Sequence, residues 1–131
     1  MRPFRTLAAA TATCAIAAAV SLTAPSPAQA VPTRWASASY KATSVRSIEW
    51  FRGDFQGVMP TINPSLKVYL VTQSGRRIYE ENRHWIGQQY SGWHQVAVNQ
   101  SFGENIGSAC AELYEGGIFV DKQCNPIYPN A

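Results

Sequence analysis

Both histidines of the chain fall within residues 82–94, NRHWIGQQYSGWH. His84 adjoins Trp85, His94 adjoins Trp93, and Tyr90 stands between the pairs. Two chemistries follow from these side chains. The first is proton transfer or zinc ligation by imidazole, with Glu80 or Glu81 assisting. The spacing disfavours it, because the histidines lie ten residues apart across a loop, whereas H-E-x-x-H spacing puts two ligands on one helical face. His94 also alternates with Val96 and Val98, so a place at the edge of a core face accounts for it. The second chemistry is stacking. Trp85, Tyr90 and Trp93 would form a flat aromatic surface beside Asn82, Arg83, Gln88 and Gln89. Such rings suit the apolar faces of sugars, and arginine and amide groups suit their hydroxyls.

The sequence therefore predicts a ligand-binding surface of Trp85, Tyr90, Trp93, Arg83 and Gln88. The competing structural reading is that Trp85 and Trp93 fold inward and plug one end of the domain. No catalytic residue, cofactor or metal is expected. There is no G-x-S-x-G elbow, and both cysteines of the exported chain are assigned to a disulfide, which leaves no Cys-His pair. The acids Glu49, Asp54, Glu112 and Asp121 read as surface carboxylates rather than a glycosidase pair across a cleft. The expected function is non-catalytic binding of an extracellular glycan or cell-wall polymer. One alternative is an inhibitor of a secreted protease or amylase, acting through a loop or the C-terminal hairpin. Another is a small secreted enzyme built on His84 and His94.

The elements that position these residues are strands. Residues 1–30 read as a signal peptide: Arg2 and Arg5 precede the apolar run of residues 7–22, and Ala28-Gln29-Ala30 forms a small-x-small cleavage site. Cleavage after Ala30 leaves one domain, Val31–Ala131, and predicts a secreted monomer with no membrane anchor. Of 11 basic residues against 8 acidic ones, Arg2 and Arg5 depart with the leader, leaving 9 against 8. That balance offers no electrostatic footprint for nucleic acid. Cys14 also departs, and Cys110 and Cys124 remain as a predicted disulfide.

No helical period appears after the leader. SVRSIEWFR (44–52), LKVYLVT (66–72), RRIYEE (76–81) and WHQVAVN (93–99) read as strands, with another within residues 35–42. Ser74-Gly75 predicts a two-residue turn with Val71 opposite Ile78 and Leu70 opposite Tyr79. Gly116, Gly117 and Ile118 predict a three-residue turn, with Glu115 opposite Phe119 and Cys110 opposite Cys124. Residues 53–65 and 82–92 read as loops, and residues 125–131 as an extended surface tail. Trp50 is the expected core tryptophan. Six or seven short strands predict an all-β fold, a small antiparallel β-sandwich of immunoglobulin-like type; a small barrel is the alternative.

GSACAEL (107–113) and CNPIYP (124–129) resemble short pieces of the secreted subtilisin-inhibitor family of actinobacteria. In that family a reactive loop follows a disulfide-bound cysteine, which would imply a bait region at Pro126 and Ile127. The resemblance covers a small part of the chain. It also departs from the family, which has two disulfides and pairs the corresponding cysteines elsewhere. Membership is not inferred from it.

Overall fold

Alternating apolar and polar side chains give each strand one face for a core and one for water. The computed structural model describes residues 32–128 and carries this pattern through seven strands. They are β1 (Arg34–Ser44), β2 (Ser47–Ile62), β3 (Pro64–Thr72), β4 (Arg77–His84), β5 (Gln88–Ser101), β6 (Ile106–Glu115) and β7 (Ile118–Pro126). The leader predicted over residues 1–30, with Cys14 and the cleavage point, lies outside the described residues.

The strands form two antiparallel sheets, β1-β2-β5 and β4-β3-β6-β7. This is the predicted β-sandwich. Its order is immunoglobulin-like, with the fourth strand paired to the third rather than to the fifth. Ala36, Ile48, Phe51, Phe55, Val96 and Val98 enter the core from the first sheet. Leu66, Val68, Leu70, Ile106, Ala109, Ala111 and Leu113 meet them from the second. The sheets approach closely at Gly53, where an added Cβ would stand 2.3 Å from Val68 Cγ1 and 2.9 Å from the Ala111 Cβ.

Several registers differ from the sequence expectation, each for a local reason. Residues 53–65 are not a loop, because β2 runs through Ile62. Gly57 to Pro60 bulge from it, four residues opposite the single Tyr90 between the paired positions Gln56↔Ser91 and Thr61↔Gln89. Residues 82–92 are not a loop either. β4 extends to His84 and β5 starts at Gln88, so a three-residue crossing joins the sheets. Its last residue, Gly87, holds a left-handed φ of 89°.

Trp50 is not a core residue. A register shift between Ile48 and Trp50 changes the parity of β2, so Phe51 shares the inward face with Ile48.

The β3–β4 loop has three residues rather than two. The Thr72 N–H donates to the Arg76 carbonyl, and the pairs are Leu70↔Ile78 and Val71↔Arg77. A bulge between Val68 and Leu70, where Tyr79 has φ 55°, restores the original register at Val68↔Glu81. The β6–β7 turn shows the reverse. Gly116 and Gly117 alone form it, both with positive φ, and Glu115 faces Ile118. A shift between Leu113 and Tyr114 then brings Cys110 opposite Cys124, as expected, and the two form the disulfide.

The tail is less exposed than predicted. Ile127 is buried and donates its N–H to the Gly107 carbonyl. Pro126 ends β7, so these two residues do not form the protruding bait that the inhibitor resemblance implied.

The two seams between the sheets are closed by side chains. Along β1 and β7, Asp121 accepts from the Ala36 N–H, Asn125 donates to the Ala38 carbonyl, and the Tyr40 hydroxyl donates to the Pro126 carbonyl. Along β4 and β5, Glu81 meets His94, Arg83 donates to the Trp93 carbonyl, and the Tyr79 hydroxyl donates to the Gln100 amide oxygen.

Gly53→Ala is expected to cost about 2–3 kcal/mol, because overpacking must push the sheets apart. Chemical denaturation reads this directly, and an unchanged midpoint would show that the inter-sheet spacing is free to relax. Replacing Cys110 and Cys124 together with alanine should cost about 3 kcal/mol in the same assay, the effect of opening a loop of this length.

Candidate ligand-binding surface

The outer face of the β1-β2-β5 sheet carries three of the four tryptophans. In β1, Ala36, Ala38, Tyr40 and Ala42 turn toward the core, which leaves Trp35, Ser37, Ser39 and Lys41 on the outer face. In β2 the outer positions are Trp50, Arg52, Asp54 and Gln56, and in β5 they are Ser91, Trp93, Gln95 and Ala97. The register sets these side chains in rows. Trp35, Gln56 and Ser91 form one, and Ser37, Asp54 and Trp93 the next. Ser39, Arg52 and Gln95 follow, then Lys41, Trp50 and Ala97. The surface alternates indole rings with arginine, carboxylate, amides and hydroxyls.

The middle of this face is held in place. The Arg52 guanidinium lies 4.4 Å from the centre of the Trp93 ring and donates to Asp54 at 2.9 Å. Arg83 fixes the backbone beneath the same ring by donating to the Trp93 carbonyl at 2.8 Å. Trp93 nonetheless remains 48% exposed.

The residues predicted from sequence separate into two groups. Trp93, Tyr90 and Gln88 are exposed, but only Trp93 lies on the tryptophan face; Tyr90 stands opposite the β2 bulge and Gln88 opposite Ile62. Trp85 is half-buried and turns toward the core. Its ring meets Phe55 edge-on at 5.1 Å, above Gly92, where a Cβ would stand 2.8 Å from Trp85 Cζ2. Arg83 covers Trp85 at 4.7 Å. Trp85 therefore plugs the end of the sandwich, while Trp93 faces outward with Trp50 and Trp35. Sequence reading missed Trp35 and Trp50 as surface partners. The signal for Trp35 was its alternation with Ala36, and the signal for Trp50 was hidden by the shift at Glu49.

The histidines serve different partners. His84 Nδ1 and the Ser65 hydroxyl share a cross-strand hydrogen bond of 2.6 Å, and His94 Nε2 meets Glu81 at 2.7 Å. Among the described residues no group of three His, Cys, Asp or Glu side chains converges to hold a metal. Two shallow depressions, of about 290 and 280 Å³, are lined around Ser47 and Gln100 and around Asn105 and Ile127, and no tryptophan lines either.

Glu112 is not the solvated surface acid that its sequence position suggested. It is buried on the outer side of the β4-β3-β6-β7 sheet and accepts hydrogen bonds from the Tyr69 and Tyr114 hydroxyls. Arg77 reaches it at 3.3 Å and stacks over Tyr69 at 4.1 Å. Burial raises the Glu112 pKa, but the two tyrosine hydroxyls, Arg77 and Lys122 outweigh it, so the net shift is downward. Burial and the same carboxylate push the Tyr69 phenol up. The network spans β3, β6 and β4 and supports the disulfide-bearing strand from outside.

A second acid organises the end of the sandwich where β2 bulges. Glu115 accepts from the Ile62 N–H at 2.7 Å and from Arg34 at 2.5 Å, and these two bonds, in that order, lower its pKa. Beside it Asn63, with φ 49°, donates its N–H to the Gly87 carbonyl and accepts from the Gly87 N–H through its side chain. The Asn63 carbonyl accepts from the Gly116 N–H. One asparagine thus ties the β2–β3 junction to both neighbouring turns.

No protein-family model matches the sequence, and no curated protein matches it. A crystal structure named as a beta-galactosidase of Bacteroides fragilis is similar at a TM-score of 0.46 and 16% identity. The likeness covers 70% of this chain and 15% of that one, so the chain spans a small part of that protein's length.

The lowered carboxylates make stability pH-dependent. Glu104, held by Arg76 and Ser74, shifts downward like Glu112 and Glu115. A carboxylate whose folded pKa is depressed stabilises the fold above its unfolded pKa, near 4.5 for these groups. That stability is lost as pH falls through the folded values. Melting temperature should therefore hold near neutrality and fall progressively below about pH 4.5. Glu115→Gln should start lower at neutral pH and fall less on acidification. Parallel melting curves for the two proteins from neutral to acid pH would refute the assignment.

Proposed function

We propose that the chain is an exported, non-catalytic protein that binds an extracellular glycan or cell-wall polymer through the outer face of the β1-β2-β5 sheet. The observation that carries this reading is the set of three tryptophans, Trp35, Trp50 and Trp93, among Arg52, Asp54, Gln56 and Gln95 on one sheet face. Indole rings stack on the apolar faces of sugar rings, and the intervening polar groups can bond their hydroxyls. The face rests on hydrogen-bonded strands rather than a loop, so little conformational freedom is lost on binding. Support for export comes from the signal-peptide pattern read in residues 1–30 and from a disulfide of the kind that persists in an oxidising compartment.

A second reading, inhibition of a secreted hydrolase, draws on Ile118 and Phe119, which are exposed at the tip of the disulfide-stapled hairpin. Loss of subtilisin-like, trypsin-like or amylase activity on adding the protein would support it.

Purified protein mixed with chitin, cellulose or bacterial cell wall should be depleted from the supernatant in a saturable way by one of them. Trp93→Ala and Trp50→Ala should each weaken that depletion by about tenfold or more, as loss of a buried aromatic anchor does. Trp85→Ala should act chiefly on stability. Absence of depletion by every polymer, or depletion indifferent to Trp50 and Trp93, would sink the proposal.

A further inference from the structure

An apolar surface covers the end of the sandwich where β2 bulges, apart from the tryptophan face. Val58 and Met59 project from the bulge, Val58 at 73% exposure. Ile86, on the β4–β5 crossing, is 92% exposed. Ile118, at 73%, and Phe119 follow the diglycine turn, and Ile62 and Tyr90 are also exposed. Residues 57–63, 85–91 and 116–119 contain no Asp, Glu, Lys or Arg. Asn63 and Glu115 bind these turns to one another, so the surface is pre-organised. With about 150 Å² for a fully exposed large apolar residue, the seven side chains present on the order of 700 Å². The largest apolar patch on an ordinary monomer is about 300–600 Å², whereas each side of a standard protein interface contributes about 800 Å².

We propose that this pole is an interface between two copies of the chain related by a two-fold axis. Area and charge select that occupant. A two-fold interface sets a surface against itself, so an unpaired charge near its centre would meet its like; here the three segments carry none, and the adjoining Glu115 is neutralised by Arg34. Homodimer interfaces are also more apolar than others and depleted in charge at the centre. A lipid surface fits less well. The nearby cations that would meet phosphate headgroups are occupied: Arg34 pairs with Glu115, and Arg83 is held by the Trp93 carbonyl and the Trp85 ring. The inference does not rest on the glycan reading, because none of Trp35, Trp50 and Trp93 belongs to this surface.

Sedimentation velocity of the purified protein over about a hundredfold range of concentration tests it, since a dimer of this kind follows mass action. A shift from monomer to dimer mass is expected. Ile86→Glu, which places a charge on both copies at once, should raise the dissociation constant by about a hundredfold or more. Val58→Glu should do the same, which guards against a local folding effect at either site. Thr43→Glu, exposed at the opposite end of β1 from this pole, should leave association unchanged. A wild-type protein that stays monomeric throughout overturns the proposal, as does a dimer indifferent to both glutamates. Monomeric protein that instead sediments with zwitterionic vesicles also overturns it, and assigns the pole to lipid.

Discussion

The close approach of the two sheets at Gly53 sets the terms for the rest of the molecule. A side chain there would overlap Val68 and Ala111, so the sheets pack through small residues at this point. Phe51 and Phe55, two positions to either side on the same strand, fill the wider space. Gly53 also sets how near β2 lies to β3 and β6, and with it the position of the outward residues Arg52 and Asp54. The contact that presses the core together is one residue away, along the same backbone, from the pair that frames Trp93. Core packing and surface geometry are opposite faces of one segment.

Much of this architecture was legible in the sequence, and what was not has a common cause. Alternation in residues 66–72 and 93–99 gave the strands, and the diglycine with two cysteines gave the stapled hairpin. What alternation cannot register is an extra residue. The shift near Glu49 moved Trp50 from the core to the surface. The bulge of Gly57 to Pro60 let β2 continue through a stretch whose glycines and proline read as loop. The two hairpin registers were each one residue out beside the turn and recovered farther along, because a bulge in the strand compensated for the loop length. The candidate surface followed the same rule. Sequence left the direction of Trp85 and Trp93 open: Trp93, within β5, is exposed, whereas Trp85, at a crossing between sheets, turns inward where no period applies.

Buried charge tells a related story. Glu112 looked like a solvated hairpin acid because sequence gives no sign of what will cover it. Its partners come from three strands: Tyr69, Tyr114 and Arg77. Such a carboxylate is tolerated only when its oxygens are bonded and a cation is close. The network is thus a condition on strand order, since β4, β3 and β6 must be neighbours before it can form.

The side chains that close the two seams have an effect beyond joining the sheets. Every open sheet ends in strands whose unpaired amides and carbonyls can recruit another chain. Here the Ala36 N–H, the Ala38 carbonyl and the Trp93 carbonyl are already engaged by Asp121, Asn125 and Arg83 from the opposing sheet. β4 adds Arg77, Glu80, Glu81 and Arg83 along its length, a charged margin that resists strand addition. A chain so rich in strand is thereby turned away from fibrillar growth, and further assembly is left to its side-chain surfaces.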